Sequence, residues 1–162
     1  MIELIPVQPS EQTEFRQLAE AYWKELMPKA AVLKDSASRD RHFADSFRWE
    51  GEQDRPYWAL RAGERVGFVT LSRNGQSAYI DDFYIVPGAR RQGLGRRVLQ
   101  AITARFDSEC VTLIELSVRL DNPRGLAFWE AMGFRIASYR LRQYRDPATG
   151  TGFVGGLSSD FT

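Results

Sequence analysis

The segment from residue 86 to residue 97, which reads Val-Pro-Gly-Ala-Arg-Arg-Gln-Gly-Leu-Gly-Arg-Arg, constrains the fold more than any other part of the chain. The apolar run 79–86 precedes it, and an amphipathic pattern follows with one apolar face: Val98, Leu99, Ile102 and Phe106. This order predicts a strand, a glycine turn and the start of a helix. Backbone N–H groups and the dipole of such a helix start favour an anion, and the nearby arginines add positive charge. The segment therefore predicts a phosphate or pyrophosphate ligand.

The spacing of the glycines distinguishes this segment from two common phosphate loops. A dinucleotide-binding fingerprint needs a small residue where Val98 stands, and a P-loop needs Gly-Lys-Ser/Thr, which is absent. What remains is Arg-x-x-Gly-x-Gly, formed by Arg90, Gly93 and Gly95. This pattern resembles the pyrophosphate-binding motif of the GNAT acyltransferase superfamily, whose usual ligand is acetyl-CoA. The alternative is a helix entry turn with a solvated arginine cluster.

A second segment, residues 122–134, strengthens the resemblance. Asn122 is a good N-cap, Pro123 suits the first helical position, and Gly133 suits a helix end. An Asn followed by a helix with an aromatic pair and then Gly-Phe is similar to the other hallmark of the superfamily. Without the resemblance, the same segment would be interpreted as an ordinary capped helix.

The predicted order of elements is βααβββαβαβ, which is the order of the GNAT fold. The resemblance implies a mixed α/β architecture: a mostly antiparallel central sheet, flanked by about four helices, in which the parallel strands 77–86 and 111–118 splay apart around acyl-CoA. An extended cofactor arm that carries amides could pair with the strand beyond the split. The cofactor-binding residues that the resemblance implies are Phe83, Tyr84, Ile85, Arg90, Arg91, Gln92, Gly93, Leu94, Gly95, Arg96, Arg97, Asn122, Phe128 and Trp129.

The implied activity is transfer of an acetyl group from acetyl-CoA to a primary amine in a ternary complex, which requires a base to deprotonate the amine. Strand alternation predicts that Asp81 and Asp82 lie on opposite faces. The resemblance favours Asp81 as the base, with Glu115 as the second candidate, whereas Asp82 is expected to be structural. The alternative for Asp81 is a surface or helix-pairing carboxylate.

The chain departs from the family pattern at the usual acid. Trp129 stands where relatives commonly have a Tyr, and an indole N–H has no useful acidity. Gly125 replaces a usual Ala, and Ser117 stands where some relatives carry a Glu. The acid could be another residue (Tyr139, Tyr144 or Tyr84), or none, because a thiolate is a fair leaving group.

Length and composition limit the number of domains, the classes of partner and the cellular location that we expect. The 162 residues predict one domain, 1–162, and a net charge of +1 gives no global attraction to nucleic acid or membrane. The single Cys110 is expected to be a buried thiol, and the single His42 cannot build a metal site. With no long apolar span and no secretory leader, we expect a cytosolic protein. The partners expected are acetyl-CoA and an amine; a homodimer stays open.

Periodicity predicts further elements along the chain. A first strand covers 2–7, a helix capped by Ser10 runs to Pro28, and a second helix ends near Trp49. Asn74-Gly75 predicts a hairpin. Residues 134–145 are expected to supply one or two last strands, and the tail is either flexible or a closing strand through residues 153–154.

Two other functions compete with catalysis. Trp129 and Ser117 motivate an acyl-CoA-binding regulatory or sensor domain with a degenerate catalytic centre. A nucleic-acid-binding module using residues 90–105 is weaker, because the overall charge is near zero.

Overall fold

The computed structural model describes residues 1–28, 30, 35–51 and 54–141. They belong to two compact units, Met1–Ser117 and Val118–Thr162. The assignment of 1–162 to a single domain stays a prediction. Within the described residues, no helix combines the length and the apolarity that crossing a bilayer requires.

The first unit contains a five-stranded sheet with the strands in sequence order. Its strands are β1 (Ile2–Pro6), β2 (Arg55–Arg61), β3 (Glu64–Asn74), β4 (Ser77–Ile85) and β5 (Leu113–Leu116). Neighbouring strands are antiparallel except β4 and β5, which are parallel. Three helices belong to this unit: α1 (Gln12–Leu26), α2 (Ser36–Ser46) and α3 (Leu94–Ser108). The second unit contains α4 (Pro123–Ala131). The mixed, mostly antiparallel sheet of the sequence analysis is confirmed.

Apolar side chains on both faces of the sheet explain why helices cover it. On one face, α1 and α2 pack through an aromatic core centred on Phe15, whose ring lies 4.8–6.1 Å from five other rings. The cross-strand row Trp58, Phe68 and Tyr84 forms the floor of that core. We call this side the α1 face. The opposite face carries α3, whose buried positions are Leu94, Val98, Leu99, Ile102 and Phe106.

The pairing of β4 with β5 ends before β4 does. It runs from Ser77 opposite Leu113 to Ile80 opposite Leu116. Residues 81–85 of β4 therefore lie beyond the last paired position, while they continue to pair with β3 on the other side. This is the splay between the two parallel strands.

A β-bulge in β4 occurs at the point where the splay begins. Thr70 pairs with Asp82 and the next residue of β3, Leu71, pairs with Ile80, so Asp81 is an additional residue. A bulge breaks the simple alternation of side chains along a strand. The prediction that Asp81 and Asp82 lie on opposite faces is wrong for this reason, as their partners show below.

Several local predictions need correction. The first helix is not capped by Ser10: a 3-10 turn, Pro9–Glu11, precedes α1, and the Glu11 carboxylate accepts the Gln8 N–H at 2.8 Å. In the hairpin, Asn74 pairs with Ser77, so the turn residues are Gly75 and Gln76, of which only Gly75 has a positive φ, +61°. The second helix ends at Ser46, before Trp49.

Two further expectations are contradicted near the end of the first unit and in the second. Cys110 is exposed rather than buried, because it follows α3 in a left-handed turn with φ +58°. Residues 134–141 form no strand, although Phe134 packs on Trp129. The rest of the predicted last strands, Tyr144 and the alternatives for the tail lie outside the described residues.

Candidate active site

The glycine loop folds as a left-handed cap on α3. Gly93 has φ +72° and is the N-cap of the helix, with no side chain to occupy the helix start. Its carbonyl accepts the first helical bond, from the Arg97 N–H at 3.3 Å. The side chains of Arg91, Arg96 and Arg97 are exposed around this start. The first N–H groups of the helix, its dipole and three cations therefore point to an anion site.

Arg90 has a different position from the other arginines of the motif. Its guanidinium donates to both oxygens of Glu25 at 2.7 and 2.8 Å and to the Ile85 carbonyl at 2.7 Å. It also lies 5.3 Å from the centre of the Tyr84 ring. The Glu25 carboxylate raises the pKa of Arg90. The arginine thus ties the end of α1 to the end of β4, and its charge is already paired.

The remaining loop side chains face away from the helix start. Gln92 bonds the Gly88 carbonyl and accepts from Arg61 at 3.1 Å. Leu94 is buried in the core. A hollow of about 480 Å³ lies between this part of the loop and the β2–β3 turn, lined by Arg61, Ala62, Glu64, Val66, Gly88, Ala89, Gln92 and Leu94. Its lining therefore includes Leu94, the first residue of α3, so the hollow borders the helix start.

In the second unit, Asn122 caps α4. Its side-chain oxygen accepts the Gly125 N–H at 2.9 Å. A Cβ on Gly125 would lie 2.4–3.0 Å from atoms of the Asn122 side chain. The glycine that departs from the family pattern is therefore explained by its close approach to the cap.

Trp129 is the buried residue of α4. Its ring lies 5.0 Å from Phe128 and 5.2 Å from Phe134, in edge-on geometry with both. Trp129 is thus an anchor of the local aromatic packing in its unit.

Asp81 and Asp82 both point to the α1 face. Ser72 donates a hydrogen bond to Asp81, the Tyr22 hydroxyl donates one to Asp82, and Thr70 is the cross-strand neighbour of Asp82. Because Thr70 and Ser72 are two residues apart on β3, their side chains share a face. The bulge therefore brings two consecutive carboxylates to one side, where the strand splay begins.

Both carboxylates hold protons more tightly than usual. Burial is the main cause that raises the pKa of Asp81 to about 6, although solvent reaches part of the side chain. The Ser72 hydrogen bond lowers this pKa, and the charges of Asp54 and Asp82 raise it. Burial is also the main cause that raises the pKa of Asp82 to about 6. Burial and the Asp82 charge in turn raise the pKa of Tyr22. A carboxylate that titrates near 6 is suited to general-base chemistry at neutral pH.

The sequence analysis assigns no role to Tyr79 or Asp54. Tyr79 pairs with Ser72 and Glu115, so it shares the α1 face, and its hydroxyl bonds the Ser117 hydroxyl across the end of the β4–β5 pairing. Ser117, in place of the Glu of some relatives, thus bridges the two strands. Glu115 is exposed on the same face. Of the alternative acids, Tyr84 is buried in the aromatic core and Tyr139 is exposed in the second unit.

Comparison with known proteins gives similarities of three kinds: to a family model, to a relative in sequence and to two solved structures. The model of the acetyltransferase (GNAT) family matches residues 15–134. The [ribosomal protein bS18]-alanine N-acetyltransferase of Escherichia coli (strain K12) is 28% identical over 113 residues, which cover 62% of this chain and 74% of that protein. Two crystal structures share the fold. YycN from Bacillus subtilis has a TM-score of 0.71 and 20% identity, covering 90% of this chain and 99% of that one. The PaiA N-acetyltransferase from Thermoplasma acidophilum, in complex with coenzyme A, has a TM-score of 0.67 and 16% identity, covering 86% and 93%.

Proposed function

Since this chain belongs to the GNAT family of acetyltransferases, we propose that it transfers an acetyl group from acetyl-CoA directly to a primary amine in a ternary complex. The observation that carries the proposal is the β-bulge that brings two carboxylates, Asp81 and Asp82, to one face of β4 where β4 and β5 part.

The described residues of the first unit fit an acyl-CoA. The α3 start, with Gly93 as its cap and Arg91, Arg96 and Arg97 around it, suits a pyrophosphate. Residues 83–85 lie beyond the β4–β5 pairing, where an extended amide-bearing arm can lie along the strand. Arg90 has a structural role rather than that of a phosphate ligand, because its guanidinium is hydrogen-bonded to Glu25 of α1 and to the Ile85 carbonyl of β4. Cofactor binding by Asn122, Phe128 and Trp129 stays a prediction from the family resemblance.

Asp81 takes the proton of the acceptor amine, directly or through one water. An ammonium has no lone pair, so only the deprotonated amine can form the new C–N bond as the C–S bond of the thioester breaks. When bound, acetyl-CoA supplies the activated acyl group and a leaving thiolate. Glu115 is the second candidate for the base, and Asp82, which accepts a hydrogen bond from Tyr22, has the structural role.

The acceptor is a primary amine, and several classes of molecule could bear it. The bS18-alanine N-acetyltransferase similarity makes the N-terminus of an alanine peptide one candidate, and lysines, polyamines and aminoglycosides are others. A cytosolic location, a homodimer and the lack of nucleic-acid and membrane partners stay predictions.

A thiol-release assay with acetyl-CoA and a panel of these amines tests the proposal, beside calorimetric titration with CoA. We expect CoA to bind and at least one amine to give steady thiol release. CoA binding without turnover on every amine would contradict the proposal and favour an acyl-CoA sensor with a degenerate centre.

A further inference from the structure

The hydroxyls of Tyr79 and Ser117 meet at the point where β4 and β5 part. Tyr79 pairs with Glu115 in the parallel ladder, and the last pair of that ladder is Ile80 with Leu116. Ser117 follows directly after β5, and its hydroxyl is hydrogen-bonded to the Tyr79 hydroxyl. The phenol therefore reaches diagonally across the ladder, as aromatic side chains can, and its oxygen lies at the mouth of the splay.

The Tyr79 side chain shares its face of the sheet with the β4 carboxylates. Tyr79 is the cross-strand partner of Ser72 on β3, and partners that stand directly opposite each other share a face. Ser72 also donates a hydrogen bond to Asp81, the bulged residue two positions further along β4. A phenol and a carboxylate thus adjoin the same position of β3.

Among the described residues, the titratable groups of this face are carboxyls and phenols: Tyr22 of α1, Tyr79, Asp81 and Asp82 of β4, and Glu115 of β5. An ionised carboxylate only accepts hydrogen bonds, and Tyr22 already donates to Asp82. Tyr79 is half-buried beside the exposed Ser117. Its hydroxyl is therefore the proton donor of this group that a substrate in the splay can reach.

We propose that Tyr79 is the catalytic acid of the acetyl transfer and that Ser117 positions its hydroxyl. The inference rests on the proposed function, in which the α3 start holds the pyrophosphate and the cofactor arm lies along residues 83–85. From residue 85 back to residue 81 the strand spans about 13 Å, so an arm that follows it ends where β4 and β5 part. The thioester sulfur then lies beside the Tyr79 hydroxyl.

The proton balance closes with groups on this one face. Asp81 takes a proton from the amine, whose nitrogen forms the new C–N bond. As the C–S bond breaks and its electron pair moves to sulfur, Tyr79 gives its proton to the sulfur and the thiol leaves. Ser117 donates a hydrogen bond to the phenolate, and solvent then carries the Asp81 proton to it. Both groups return to their starting states.

Tyr79→Phe removes the acid and leaves the ring. We expect kcat to fall on the order of 10²-fold with CoA affinity unchanged, the low end for an acid, because a thiolate is already a fair leaving group. Ser117→Ala should lower kcat roughly tenfold, the worth of one hydrogen bond, and Ser117→Thr should restore it. Tyr57→Phe is the matched control, since its ring lies 4.8 Å from Arg105 of α3, on the opposite face.

The first measurement is the pH dependence of kcat with acetyl-CoA and an amine that turns over. An acid that must be protonated gives an alkaline limb. With 3-fluorotyrosine, a more acidic phenol, in place of Tyr79, this limb should move to lower pH while the acidic limb stays. The same replacement at Tyr57 should move neither limb. An alkaline limb that stays in place overturns the inference, and so does loss of the acidic limb in Tyr79→Phe, which would make the phenol the base.

The second measurement needs no turnover and uses the same label. The ¹⁹F resonance of 3-fluorotyrosine at position 79 should shift when CoA is added and shift less with desulfo-CoA, which lacks the sulfur. The label at position 57 should respond alike to both. Equal shifts at position 79 with CoA and desulfo-CoA would overturn the placement of the hydroxyl beside the sulfur.

Failure of the proposed function gives a different result from failure of this inference. A parent protein that binds CoA but turns over no amine contradicts the proposed function, and the acid role with it. A parent that turns over an amine, with Tyr79→Phe equally fast, overturns the acid role alone.

Discussion

At the scale of single residues, the chemistry of this protein depends on where one extra amino acid lies. Asp81 is the bulged residue of β4, and it reaches Ser72 on the face that also holds Asp82. A regular strand would turn consecutive side chains to opposite faces, leaving only one carboxylate at the splay. The local departure from regular pairing is what places two carboxylates beside each other.

Replacing Asp81 with Asn removes the carboxylate that we propose as the base. The Asp81 pKa is raised to about 6, so we expect the parent's kcat/KM to rise with pH and to level off above that value. In Asp81→Asn this acidic limb should disappear and the rate should fall by on the order of 10²–10⁴, the usual contribution of a general base.

The pH–rate profile of purified variants checks this, with Glu115→Gln as the control at the second candidate position. If Glu115→Gln loses the limb and Asp81→Asn keeps it, the two assignments are exchanged.

At the scale of secondary-structure elements, close approaches fix how β3 meets β4. Gly67 lies opposite Ile85, and a Cβ on it would stand 1.9 Å from the Tyr84 carbonyl oxygen. That oxygen is backbone and cannot move aside as a side chain can. The end of β4, where the family resemblance places the cofactor arm, is thus held by a glycine on its neighbour.

Gly67→Ala should destabilise the protein strongly. The two strands must separate to admit the methyl group, which costs roughly 1–3 kcal/mol or more of unfolding free energy, as for overpacked sites. Gly88→Ala is the control, because no atom lies within 4 Å of its Cβ, and it should stay within about 0.5 kcal/mol of the parent. Denaturant unfolding of both variants measures the difference, and equal midpoints would contradict the expectation.

The start of α3 should lose CoA when its second glycine becomes bulky. Gly95 lies in the first turn, and Tyr there has better helix propensity than Gly, so Gly95→Tyr should fold. The ring blocks the approach of a pyrophosphate to the backbone, and we expect affinity for CoA to fall by about tenfold or more, at least 1.4 kcal/mol. Calorimetry decides: a folded Gly95→Tyr protein that binds CoA like the parent would falsify the site.

At the scale of the whole molecule, the buried carboxylate of Asp82 links stability to pH. Its pKa is raised to about 6 from an ordinary 3.8, so the folded state holds the proton more tightly than the unfolded state. The carboxyl therefore stabilises the fold least where it is charged: its favourable contribution is complete below about pH 3.9 and is lost as pH rises to about 6.

Asp82→Asn should consequently stabilise the protein at neutral pH. The amide has no charge to bury and can still accept from Tyr22, so we expect a gain on the order of 1–2 kcal/mol at pH 7.5 that disappears near pH 3.5. Thermal unfolding at both pH values measures it, with Asp107→Asn, which removes an exposed carboxylate of α3, as the control. A variant less stable than the parent at pH 7.5 would show that the hydrogen bonds to the carboxylate outweigh its burial.

The structural features that could be predicted from the sequence are those that depend only on residues close together in the chain. The glycine turn before α3 and the Asn122 cap of α4 are both recognisable in a short window of sequence, and the structure has both. The pairing of Arg90 with Glu25 spans 65 residues, and the bulge that turns Asp81 to the face of Asp82 depends on the register between β3 and β4. Neither is encoded in a spacing, so neither could be predicted before the sheet was known.

The bulge also has a genetic consequence. Without residue 81, Ile80 and Asp82 would be consecutive, and they would face Leu71 and Thr70, which are consecutive already. An in-frame loss of one codon would therefore leave a regular sheet with every other side chain on its present face. The residue that we propose as the base is therefore a position of β4 that its pairing with β3 does not need.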